Sequence, residues 1–176
     1  MTSTPRFEAL IERYHDEIYT YLWRLLGGNA DEAEDLTQET FLRAYQAFSR
    51  LRPNSNYRAW LYKIATNSAY SAFRRWKRER EAGYSDFADV EEYEAPDDAV
   101  ERLDDLVIQQ ETLEAIKEAI NALPPKQRTA VLLRYLQGLD YSEIAQVLDC
   151  SEDSARANVY QALRRLRQAV ASRHLA

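Results

Sequence analysis

Residues 140–166 read DYSEIAQVLDCSEDSARANVYQALRRL. Asp140 precedes an apolar-periodic stretch and Glu143 follows it by three, a capping-box spacing in which each side chain satisfies a backbone N–H at a helix start. The helix predicted from there is short, Tyr141 to Leu148, with Ile144, Ala145 and Leu148 inward. Asp149-Cys150 turns the chain, and Ser151 caps a last helix predicted to run to about Ala171. A short helix, a tight turn and a longer helix have the proportions of a helix-turn-helix. Ala145 is small where the two helices must approach closely. On the last helix Ala155, Val159, Ala162 and Leu166 fall in one narrow arc, its core face. The opposite face carries Asp153, Arg156, Ala157, Tyr160, Gln161 and Arg164. Arg and Gln can pair with guanine or adenine edges in a major groove, whereas Arg164, Arg165 and Arg167 suit phosphates.

Outward from this motif the chain stays helical. A helix through Leu113, Ile116, Ile120 and Leu123 stops at Pro124-Pro125. The next is predicted from about Pro125 to Gln137, with Ala130, Val131, Leu133 and Leu136 inward, and Gly138 ends it. Three longer helices open the chain. The first, Phe7 to about Leu26, has apolar residues at spacings of three and four and ends at Gly27-Gly28. The second is capped by Asn29 or Asp31, runs to about Leu51, and has Ala33, Leu36, Phe41, Ala44, Tyr45 and Phe48 as its stripe. The third, Tyr57 to Arg80, is capped by Ser55 or Asn56 and buries Trp60, Leu61, Ile64, Ala65, Ser68 and Ala72. The fold class expected is all-α: an N-terminal helical bundle over 7–80 and a C-terminal helix-turn-helix domain over 111–172. Residues 81–110 are predicted to be a flexible acidic linker, because most of the stretch lacks a helical apolar period.

The net charge of −6 looks wrong for a nucleic-acid binder, but the charge is sorted along the chain. Residues 79–112 hold 13 acids and only Arg80 and Arg102, which leaves 21 basic and 16 acidic residues elsewhere. Residues 58–78 and 154–176 carry cations and no acid, whereas 7–39 hold nine acids against Arg13 and Arg24. Different parts of the chain are therefore expected to meet partners of opposite sign. The linker's acidity further suggests that it competes with DNA for the basic faces. Cys150 is the sole cysteine, so no internal disulfide forms. Neither a signal peptide nor an apolar run of bilayer-spanning length is seen, and a cytoplasmic protein without membrane insertion is expected.

The third helix carries a second nucleic-acid signal. Lys63, Asn67, Tyr70, Arg74 and Lys77 recur at helical spacing and make one stripe opposite the apolar face. Cations interleaved with an amide and an aromatic ring suit a nucleic-acid backbone with exposed bases. Tyr62 is expected to face outward, where it can stack on an unpaired base.

Three runs resemble one family. DEAEDLTQETFLRAYQAF (31–48) is similar to region 2.2 of the extracytoplasmic-function sigma factors of bacterial RNA polymerase. YRAWLYKIATNSAYSAFRR (57–75) resembles their regions 2.3 and 2.4, and residues 123–167 resemble their region 4. The resemblance implies that Glu34, Asp35, Gln38, Glu39 and Phe41 bind the β′ clamp helices of core RNA polymerase, with further contact to the β subunit. It implies that Tyr62, Lys63, Asn67, Tyr70, Arg74 and Lys77 open and read the −10 element of promoter DNA. Arg156, Ala157, Asn158, Tyr160, Gln161, Arg164 and Arg165 would read the −35 element. An anti-sigma factor is an implied partner, and no further C-terminal domain is expected. Family members often carry an acid where Ser71 stands and a basic residue near Asn158, departures that bear on promoter preference.

Two other classes fit these residues less well. A conventional helix-turn-helix repressor or activator accounts for residues 123–170 but not for the N-terminal bundle or its acids, and usually needs a dimer. An enzyme is not expected: His15 and His174 lie far apart in sequence, no Gly-rich phosphate loop or Cys/His metal spacing occurs, and neither catalytic residues, metal ligands nor a cofactor are assigned.

Overall fold

The structure, a computed structural model, describes residues 4–80 and 110–174. All but the last residue of the predicted acidic linker lies outside the described residues, and so does its suggested competition with DNA. Helix α1 (Phe7–Leu25) stops where Gly27 and Gly28 take positive φ, which glycine adopts without steric cost, and Gly28 N–H returns 2.8 Å to the Trp23 carbonyl. Helix α2 (Ala30–Phe48) starts at Asn29, whose side chain accepts from Glu32 N–H, and ends three residues short of Leu51. Its buried Thr37 and Thr40 satisfy their hydroxyls on the carbonyls four residues back. Helix α3 (Tyr57–Glu79) is capped by Asn56, which accepts from Ala59 N–H at 3.0 Å.

Among the C-terminal elements, α4 (Gln110–Asn121) leads to the two prolines and α5 (Pro125–Val131). The helix expected to continue to Gln137 does not remain α: Leu132–Leu136 form a π-helical turn, with Gln137 N–H bonded to the Leu132 carbonyl at 3.0 Å. The extra residue per turn shifts the side-chain period. Leu132 and Leu133 stay buried, while Leu136, expected inward, is half exposed. Helix α6 (Tyr141–Leu148) has the full capping box: Glu143 N–H donates to Asp140 at 2.8 Å and Asp140 N–H to Glu143 at 3.0 Å. Asp149 takes the left-handed conformation that turns the chain into α7 (Glu152–His174), where Ser151 accepts from Ser154 N–H.

Helices α1, α2 and α3 pack pairwise on one another, and α4, α5 and α6 pack on α7. The two groups then meet along α3, which lies against α6, while the π turn touches α1. Consequently α3 is buried on two sides, not one: Ala59, Tyr62, Thr66 and Ala69 are buried in addition to Leu61, Ala65, Ser68 and Ala72, while Trp60 and Ile64 are half-buried. Its core contains a polar pair, Tyr21 Oη 2.7 Å from Thr66 Oγ1, with no accessible surface left on Tyr21. Among the described residues no helix is long and apolar enough to cross a membrane.

Candidate nucleic-acid interface

The capped start of α6 and the left-handed turn at Asp149 fix the angle at which α7 presents its outer face. Arg156 is exposed there, 3.7 Å from Glu152 and with its guanidinium 4.7 Å from the centre of the Tyr141 ring. Arg134 approaches the same ring at 4.5 Å, so α6 and α7 share a cationic cluster around one aromatic residue. One turn further on, Tyr160, Gln161, Arg164, Arg165 and Gln168 line an open groove. Arg164, Arg165 and Arg167 are exposed, and Tyr160 is half-buried.

Ala157, which its spacing puts on this face, and Asn158, which the resemblance assigns to it, are not on it. Ala157 and Asn158 are buried, at 4% and 3% exposure, and Asn158 spends its amide on the Ser154 carbonyl at 3.0 Å. The buried arc of α7 is broader than the four-residue stripe because three helices pack on it. Gln161 is half-buried and accepts from Gln127 at 2.9 Å.

On α3 the stripe is divided. Asn67 and Arg74 are exposed, Arg74 donating to Ser71 Oγ at 3.3 Å, and Lys77 is half-buried. Lys63 is half-buried with its Nζ 4.0 Å from Asp149. Tyr70 is half-buried under α5, its hydroxyl 2.7 Å from Thr129 Oγ1 and 3.3 Å from the Pro125 carbonyl. Tyr62, expected outward, has no accessible surface. Its hydroxyl donates to Gln137 Oε1 at 3.0 Å and its ring meets Tyr21 edge-on at 5.0 Å. Burial pushes both phenols well above the ordinary tyrosine range. The reason for this departure is tertiary: the π turn and α5 lie over a face that would be open if α1, α2 and α3 stood alone.

The acidic face of α2 is exposed at Glu34, Asp35 and Gln38. Glu39 is half-buried and paired with Arg43 at 2.5 Å. Phe41, assigned to the same surface, is a core residue at 7% exposure, stacked on His15 at 5.9 Å. The apolar groups actually presented beside the acids are Leu42, 59% exposed, and Tyr45, 63% exposed. The apolar stripe of α2 predicts Tyr45 inward and leaves Leu42 out, whereas both side chains face outward. The available signal was spacing, since Leu42 follows Gln38 by four and Glu34 by eight and so shares their face.

The Sigma-70 region 2 family matches residues 10–79 and the Sigma-70 region 4 family residues 113–166. The chain is 33% identical over 162 residues to the ECF RNA polymerase sigma factor BldN of Streptomyces coelicolor, covering 91% of this chain and 58% of that protein. It is 28% identical to the ECF RNA polymerase sigma-E factor of Salmonella typhimurium, covering 89% of this chain and 82% of the relative. Among solved structures, the sigma factor RpoE of Bartonella quintana, in complex with the anti-sigma factor NepR, matches with a TM-score of 0.69 at 26% identity, over 94% of this chain and 96% of that one.

Proposed function

The chain belongs to the extracytoplasmic-function sigma factors of the sigma-70 family, and from this premise we propose that it binds core RNA polymerase in the cytoplasm and directs it to specific promoters. Its part is recognition and strand opening, with no chemistry of its own. Residues 7–80 form the region 2 domain, 81–110 the linker and 111–172 the region 4 domain. The acidic face of α2 (Glu34, Asp35, Gln38, with Leu42 and Tyr45 beside them) takes the β′ clamp helices, and the β subunit supplies further contact. The stripe on α3, from Lys63 through Asn67 and Tyr70 to Arg74 and Lys77, holds the −10 element. The outer face of α7 reads the −35 element through Arg156, Gln161 and Arg164, with Arg165 and Arg167 on phosphates. An anti-sigma factor is a natural further partner, given the complex in which the Bartonella relative was solved.

The observation that carries the reading is the coexistence of an exposed acidic, apolar face on α2 with an exposed cationic face on α7. A DNA-binding regulator needs only the second. Equilibrium binding to a promoter duplex separates the two functions: tight binding requires added core polymerase for a sigma factor, whereas a repressor binds tightly alone. Within the holoenzyme, alanine at Arg156 or Arg164 is expected to cost about 1–3 kcal/mol and relax preference at one −35 base pair. Alanine at Arg165 or Arg167 should weaken binding alike on all sequences and flatten its salt dependence. Equal effects of all four on every sequence would contradict base reading by α7.

A further inference from the structure

The side-chain amide of Gln161 on α7 is tied to α5. Gln127, 2% exposed where α5 packs on α7, donates from Nε2 to Gln161 Oε1 at 2.9 Å. The Oε1 atom of Gln127 is buried and has no hydrogen-bond partner among the described residues. That unpaired carbonyl fixes the sense of the bond. Were the pair reversed, Gln127 would accept and its NH2 group, with two donors, would be left buried and unpaired. Orphaned buried N–H groups are rarer in folded proteins than under-satisfied carbonyls, because they cost more. Gln127 is therefore held as the donor and Gln161 as the acceptor.

A carboxamide is planar, with an acceptor on one arm and two donors on the other. With Oε1 turned to α5, the arm left to the groove that Gln161 lines with Tyr160, Arg164, Arg165 and Gln168 is the NH2 group. Gln161 is half-buried, so part of the side chain remains open to a ligand in that groove. A glutamine that turns freely pairs with adenine through the whole amide edge, Nε2 donating to N7 and Oε1 accepting from N6. An amide whose oxygen is held by α5 offers donors alone. Guanine then suits it better, because guanine presents two acceptors, N7 and O6, where adenine presents one acceptor and one donor.

We infer that Gln127 sets promoter specificity as a positioning residue: by holding Gln161 Oε1 it makes Gln161 a donor-only reader, which selects guanine over adenine at one base pair of the −35 element. The inference rests on the reading of α7 as the −35 helix. Buried between α5 and α7, Gln127 acts through Gln161 and not on DNA.

The test is run-off transcription by core RNA polymerase with the full chain, on templates in which each −35 base pair is varied in turn. Gln161→Ala identifies the pair that Gln161 reads. At that pair the parent is expected to favour guanine over adenine by roughly tenfold, the scale of one good contact to a base edge. Gln127→Leu nearly conserves volume and removes the unpaired carbonyl together with the donor, which favours a retained fold. Gln161 is then free to turn, and the preference for guanine should fall to near parity or pass to adenine, with the ranking at every other pair unchanged. A merely structural role of Gln127 would instead lower yield alike on all templates. That result overturns the inference, and so does a parent that favours adenine. Gln161→Lys leaves the core unaltered and serves if Gln127→Leu folds poorly: lysine donates and cannot accept, so the parent's preference for guanine should persist, and its loss counts against donor-only reading. If Gln161→Ala relaxes no pair while Arg156→Ala or Arg164→Ala does, the inference alone fails. If none of the three relaxes any pair, the reading of α7 fails with it.

Discussion

Replacing Glu34 and Asp35 together with lysine is expected to lower affinity for core RNA polymerase by about a hundredfold or more, since close charge pairs across protein interfaces couple by about 1.5–7 kcal/mol each. Both side chains are exposed, so their reversal leaves the core of α1, α2 and α3 untouched and the thermal midpoint within a few degrees of the parent. Glu39 is the weaker choice for this experiment because Arg43 already pairs with it. Leu42→Ala, beside the acids, should also weaken the complex, but without changing its salt dependence. Titration of labelled core polymerase with each variant gives the result directly, and unchanged affinity of the double reversal would remove α2 from the polymerase surface.

Phe41→Ala acts through a different cause. Phe41 is a core side chain stacked on His15, and large-to-small truncation of a buried aromatic residue costs about 3–5 kcal/mol. The variant is expected to lose a comparable part of its unfolding free energy in a urea titration. Its folded fraction should bind polymerase nearly as the parent does, because the exposed groups of α2 are unaltered. A stable variant with weakened polymerase binding would instead return Phe41 to the interface.

Local signals carried most of the helical architecture. The capping box at Asp140 and Glu143, the Gly27-Gly28 stop and the double proline are short-range chemistry, and each element they delimit is found near its expected place. The exposed cations of α7 were legible for the same reason, since a helix with a strong apolar arc has a definite outside. What the sequence did not disclose is tertiary. Nothing in the period of α3 says that α5, the π turn and α6 will lie on it, and so Tyr62 and Tyr70 look like surface aromatics when they are hydrogen-bonded partners of Gln137 and Thr129. Ala157 and Asn158 fail similarly, because the number of helices packed on α7 sets the width of its buried arc. The π turn has no compositional mark at all: LLRYL would continue an α-helix, and the shift that exposes Leu136 arises where the chain turns at Gly138.

In the proposed function this chain gives core polymerase the power to start transcription at particular sequences. Run-off transcription with purified core RNA polymerase on a promoter library, with and without the full chain, addresses it in one measurement. Discrete transcripts are predicted only when both are present, from templates sharing one −35 and −10 pair at fixed spacing, and they should vanish with the Glu34 and Asp35 reversal. Transcription no different from that of core polymerase alone, from a folded chain that binds duplex DNA tightly by itself, would contradict the account.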